Sequence, residues 1–159
     1  MQSRENEAEH KTMTPARRWG GLYTVGLMLL LLAFFAYHQW KQTGFLTGKF
    51  GPVEMIALYA PIVISMVVPI QRAIQGRVNP ARLTEAISDL FLALGSLWLW
   101  NVFPFNFAHI ADIFPARMHF AFVWLTDSVG RFILLLQVAV GVISALSNFV
   151  TYIRERRIE

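Results

Sequence analysis

The chain contains no cysteine. Disulfides, thiol catalysis, iron–sulfur clusters and cysteine zinc sites are therefore excluded within it. Charge is scarce as well. Only 15% of the residues are charged while 55% are hydrophobic, and a soluble domain carries about a quarter charged residues. A glycine-rich phosphate loop is missing, since Gly20-Gly21 sits at the start of an apolar stretch. No internal repeat is visible, so the paired halves of an inverted-repeat transporter are not supported. No catalytic, cofactor or metal motif stands out. Ser65, Ser88, Ser96, Ser144 and Ser147 have no histidine placed to activate them on the same side of the membrane.

What charge there is clusters. It crowds into Met1–Arg18, Arg72–Arg82 and Arg154–Glu159, and long apolar stretches lie between. A charge at the bilayer centre costs roughly 2.5–3.5 kcal/mol on insertion scales, so this clustering is a membrane signature. The sequence pI near 9.9 does not point to nucleic acid. Basic residues that flank apolar spans set topology and meet anionic headgroups. The expected partner is the lipid bilayer, with a second copy or a partner membrane protein as the further possibility.

A helix crossing about 30 Å of hydrocarbon needs roughly 20 apolar residues. Four stretches satisfy this, and the expected fold is an all-α, four-helix transmembrane bundle. The spans cover about 19–37, 52–70, 80–103 and 129–153 of a transmembrane domain 19–153. Residues 1–18 are expected to be a disordered cytoplasmic tail and 154–159 a short cytoplasmic one.

Span one is bracketed by Trp19 and Trp40, at the depth that amphipathic rings prefer. Its apolar stretch is long for a signal peptide and lacks a small-x-small cleavage pattern, so it reads as a retained anchor. Span two opens on Gly51-Pro52, with proline at the first helical position and Glu54 in the first turn. Pro61 and Pro69 inside it should kink or break it, and Ser65 lies between them. Span three opens on Asn79-Pro80 and ends near Trp98 and Trp100. Span four has Thr126 or Asp127 as N-cap and closes on Arg154, Arg156 and Arg157.

The link 104–125 is too apolar for a free loop and too polar for a span. Asn106, His109 and Asp112 recur every three residues and would form one polar stripe on a helix ended by Pro115. Met118 to Leu125 is apolar again. The expectation is an extracytoplasmic amphipathic helix in the interface followed by a re-entrant segment. A fifth span is the alternative, but Arg117, His119 and Asp127 leave it too few apolar residues.

Lysine and arginine set the orientation. Ten lie on the side of the two termini, and four (Lys41, Lys49, Arg117 and Arg131) lie on the other. Both termini are expected to be cytoplasmic in a multi-pass cell-membrane protein.

Three constellations merit a chemical reading. Glu85 and Asp89 share a helix face, and Asp89 lies about 15 Å along its helix at 1.5 Å per residue. Intramembrane acids often mark ion or proton paths. The plainer reading pairs Asp89 with an arginine such as Arg82 or Arg72. The second constellation is external: His38, Glu54, His109, Asp112, His119 and Asp127. Within it, His109 and Asp112 are three apart, near enough to hold one ion, though the spacing is no known metal signature. The third is the face Gln137, Gly141, Ser144, Ala145 and Asn148. Small residues there let helices approach, and the amides hydrogen-bond across the contact. Its partner is either another span or a second copy.

The reading that asks least of these features is a structural or accessory membrane subunit that packs against itself or a partner. A homo-oligomeric ion or proton channel or transporter using Glu85 and Asp89 is the alternative. A membrane-interface enzyme using His109 and Asp112 is the second alternative.

Overall fold

The computed structural model describes residues 15–75 and 79–156. The expected disordered tail lies largely outside these residues, as do Arg77 and the last three positions. Four long helices dominate: α1 (Pro15–Lys41), α2 (Pro52–Gln75), α3 (Asn79–Val102) and α4 (Asp127–Arg156). Each contains a stretch long and apolar enough to cross a membrane. The chain is a multi-pass membrane protein.

Helix starts follow local chemistry. Pro15 opens α1, four residues before the apolar stretch begins, because proline at a first helical position loses no hydrogen bond. Pro52 does the same for α2. There Glu54 Oε2 accepts from the Gly51 N–H at 3.0 Å, one half of a capping box. At α4, Thr126 is the cap: its Oγ1 accepts from the Val129 N–H at 3.4 Å. Asp127 is thereby released to reach elsewhere.

The helices pack in chain order. α1 lies on α2, α2 on α3, and α3 on α4, with the α3–α4 contact the most extensive. Among the described residues, α1 and α4 share no extended contact. The bundle is thus an open layer, with α2 and α3 inside and α1 and α4 at its edges. Large apolar side chains such as Leu30, Ile56, Leu94 and Ile143 point outward. In lipid this costs nothing, because acyl chains are as apolar as leucine.

Pro61 and Pro69 do not break α2, which is one helix from Pro52 to Gln75. Each proline is instead matched by a glycine on a flanking helix. Pro61 leaves the Ala57 carbonyl without its helical donor. That carbonyl faces Gly95 of α3, where an added Cβ would sit 2.5 Å from the oxygen and 3.0 Å from Pro61 Cγ. Pro69 meets Gly21 of α1, whose hypothetical Cβ lies 3.3 Å from Pro69 Cβ. Close backbone approach lets neighbouring helices accommodate both prolines.

The core sits at one end of the layer, where the α1–α2 loop meets the α3–α4 connection. Phe45, Leu58, Leu99, Phe103, Phe105 and Leu134 form its buried centre, with Phe34, Phe35 and Phe107 packed around it. Phe45 stacks on Phe35, and edge or tilted contacts join it to Phe34, Phe105 and Phe107. The two connections hydrogen-bond through their backbones: Thr47 N–H to Pro104 O at 2.9 Å, and Asn106 N–H to Phe45 O at 2.8 Å. A single antiparallel bridge pairs Leu46 with Phe105. Phe103 ends α3 in the left-handed region at φ 43°, a conformation that bulky residues rarely adopt. Its ring is buried, and the Arg131 guanidinium lies 3.9 Å above it.

The expected interfacial helix takes a tighter form. Phe107–His109 is a 3-10 turn, and a second 3-10 segment runs Ala116–Phe122. The three-residue recurrence of Asn106, His109 and Asp112 is the 3-10 repeat rather than the α repeat. Asn106 Oδ1 caps the Ala108 N–H at 3.2 Å, and Asp127 takes the Phe107 N–H. The backbone bonds that follow join residues three apart, His109 N–H to Asn106 O and Asp112 N–H to His109 O, as a 3-10 segment requires.

Candidate functional site

Polar groups inside the spans concentrate between α3 and α4. These antiparallel helices meet along Asp89, Ala93 and Ser96 on one side and Asn148, Gly141 and Gln137 on the other. The steps of three, four and seven residues keep all six on facing stripes. Ser96 Oγ donates to Gln137 Oε1 at 3.0 Å. Asn148 Nδ2 donates to Asp89 Oδ2 at 3.0 Å. Between these two bonds Gly141 lies against α3 backbone: an added Cβ would come within 2.8 Å of Asp89 O and 3.0 Å of Ala93 Cβ. Ser144 and Ala145 lie on the same, less exposed side of α4. Gln137, Gly141 and Asn148 are turned toward α3 of the same chain.

Arg72, one of the two arginines (Arg82 or Arg72) that the plainer reading offers Asp89, is engaged elsewhere. Arg72 Nη2 reaches Glu85 Oε1 at 2.5 Å and ties the end of α2 to the start of α3. Glu85 and Asp89 are therefore committed to different helices: Glu85 to α2 and Asp89 to α4. One turn apart on the same face of α3, their side chains reach different flanking helices.

Six polar residues were expected on the loop side: His38, Glu54, His109, Asp112, His119 and Asp127. They do not converge. Glu54 is buried, and its carboxylate accepts from Trp98 Nε1 at 3.0 Å as well as from Gly51. It links α2 to α3. Asp127 Oδ1 accepts from the Phe107 N–H at 2.9 Å and links α4 to the core loop. Next to that link, the bare backbone of Gly130 receives the Phe107 ring. His119 Nε2 bonds to Phe114 O at 3.0 Å. His38 is 1% exposed, with its Nδ1 2.5 Å from Thr43 Oγ1 and its ring between Phe34 and Phe45.

His109 and Asp112 do come together, Nδ1 to Oδ2 at 2.8 Å, both about 40% exposed. The His109 ring lies against Gly44, at φ +94°, where a side chain would collide with it. Among the described residues, no group of three histidine, aspartate or glutamate side chains is placed to hold a metal ion. The pair is a surface ion pair or hydrogen bond of the loop.

Several polar contacts join pairs that sequence spacing does not connect. Tyr59 Oη donates to Gln39 Oε1 at 2.8 Å, and Gln39 Nε2 lies 3.3 Å from Met55 Sδ, joining α1 to α2. Arg131 Nη1 donates to Trp100 O at 3.3 Å, joining α4 to the end of α3. Every helix interface of the layer thus carries at least one side-chain hydrogen bond. No protein-family model matches the chain, and comparison with curated proteins and with solved structures yields no match.

Proposed function

We propose that this chain is a structural or accessory membrane subunit, with both termini on the cytoplasmic side, that packs against a partner membrane protein or a second copy. One observation carries the reading. Polar side chains within the spans are engaged with one another across the helix interfaces of the same chain: Asp89 with Asn148, Ser96 with Gln137, Arg72 with Glu85, and Glu54 with Trp98. Such pairing holds helices together in a medium without water. It leaves the edge helices with flanks that are almost wholly apolar, suited to lipid or to another membrane protein. The ten basic residues on the side of the termini support the orientation.

A channel or transporter is the second reading, and Asp89 favours it. Its partner within the span is the neutral amide of Asn148, and intramembrane carboxylates that mark ion and proton paths likewise face interiors and pair with polar groups. Reconstitution separates the two. In proteoliposomes the accessory subunit passes no protons or cations above protein-free vesicles, and chemical crosslinking in native membranes captures a complex larger than one chain. Flux that Asp89→Asn abolishes in folded protein would establish the transport reading and end the accessory one.

A further inference from the structure

Residues 115–125 are built inside out. The 3-10 segment Ala116–Phe122 makes no extended contact with α1, α2, α3 or α4. It is held by its own bonds instead. Phe114 and Phe122 stack at 4.7 Å. The Met118 N–H donates to Pro115 O and the Leu125 N–H to Phe122 O. Two of its ring nitrogens are satisfied within it: Trp124 Nε1 donates to Ala121 O at 2.8 Å, and His119 Nε2 bonds to Phe114 O at 3.0 Å. Its apolar groups turn outward, with Phe120 79%, Val123 75% and Trp124 64% exposed. A loop bathed in water reverses this arrangement, because water satisfies its polar groups and apolar ones drive burial. A loop in an apolar medium must satisfy its polar groups internally.

We propose that this segment is a lipid-binding element, inserting Phe120, Val123 and Trp124 into the acyl–headgroup boundary of the bilayer that holds the four spans. Its occupant is that bilayer, for two reasons. Trp124 lies three residues before Asp127, the first residue of α4, a reach of about 10 Å for even an extended chain, so it stays at the level where α4 enters the membrane. α4, the helix that the segment leads into, also exposes Phe132, Ile133 and Leu136 within its first three turns, so lipid surrounds the chain directly after Trp124. Tryptophan concentrates at this depth, with its polar edge satisfied and its ring among the upper acyl carbons. Arg117, exposed at the start of the segment, is positioned to meet lipid phosphates.

Because the chain lacks cysteine, single-cysteine variants can be labelled without first removing a native thiol. Nitroxide labels at Phe120→Cys, Val123→Cys and Trp124→Cys are read in phosphatidylcholine–phosphatidylglycerol vesicles against a lipid-facing reference, Leu30→Cys, and an exposed loop reference, Lys49→Cys. The expected result is collision with dissolved oxygen above that at Lys49, rising toward that at Leu30, and protection from a water-soluble nickel relaxant relative to Lys49. Labels that behave like Lys49 would overturn the proposal in favour of a solvated loop. Protection from both relaxants would overturn it in favour of a protein cover. Unlabelled protein gives an independent reading: brominated-lipid quenching of tryptophan fluorescence should decrease in Trp124→Phe. Equal quenching in the two forms would also overturn it.

Discussion

Gly141→Leu will separate α3 from α4 and unfold the protein at markedly lower denaturant than the wild type. Even one added carbon at this position comes within 2.8 Å of the Asp89 carbonyl oxygen and 3.1 Å of the Ala93 nitrogen. Both are backbone atoms of a helix and cannot turn aside as a flexible side chain would. Overpacking of this kind costs about 1–3 kcal/mol, and leucine brings three further carbons. The damage extends along the helix. Gln137 lies one turn to one side of Gly141 and Asn148 two turns to the other, so helices pushed apart at the glycine lose both polar bonds as well. Those bonds contribute roughly 0.6–2 kcal/mol each in a membrane setting. Unfolding in mixed micelles as detergent composition is varied measures the loss. A Gly141→Leu protein as stable as the wild type would mean that α3 and α4 do not meet here.

Gly95→Leu will have a comparable effect at the α2–α3 contact, for a different reason. Proline at 61 deprives the Ala57 carbonyl of its helical donor, and the freed oxygen lies against the Gly95 backbone, 2.5 Å from where a Cβ would be. A side chain there meets an immobile carbonyl and a rigid ring together. The expected cost is about 3 kcal/mol, the upper end of ordinary overpacking. Pro61→Ala supplies the contrast. It removes ring contacts with α3 but restores an N–H to the Ala57 carbonyl, so its net effect should be small beside that of Gly95→Leu. Equal losses for the two variants would show that the proline ring, and not the exposed carbonyl, sets the spacing of the helices.

Much of the architecture was legible in the amino-acid pattern, and the reasons are local. A membrane span is a length and a composition, and both are written in consecutive residues. Proline at helix starts (Gly51-Pro52, Asn79-Pro80) is also a short-range signal. The face from Gln137 to Asn148 is visible because small and polar residues are conspicuous on an apolar helix. What lay out of reach is partner identity. In water, hydrophobic periodicity separates a buried face from an exposed one. In lipid, both faces are apolar, so Phe34, Phe35 and Phe45 look no different from Leu29 and Leu30, although the first group packs the core and the second faces outward.

The same limit applied to the polar residues. His38, Glu54, His119 and Asp127 share a side of the bundle, which suggested a common site, but each finds a backbone or side-chain donor or acceptor of its own at short range. Arg72 and Asp89 were natural partners by charge. The order of helices, with α3 between α2 and α4, gave Arg72 to Glu85 and Asp89 to Asn148. Nothing in the spacing of residues along one helix reveals which neighbour lies on which side. The pairing of Pro61 with Gly95 and of Pro69 with Gly21 was hidden for the same reason: each joins positions tens of residues apart.

Polar groups within the spans join helices of one chain. A double-mutant cycle on Asp89 and Asn148 tests this most directly, using Asp89→Ala, Asn148→Ala and the double variant in the mixed-micelle unfolding assay. The prediction is a favourable coupling of about 0.6–2 kcal/mol, the range for hydrogen bonds between membrane helices. Strictly additive losses, with no coupling between the two positions, would contradict it.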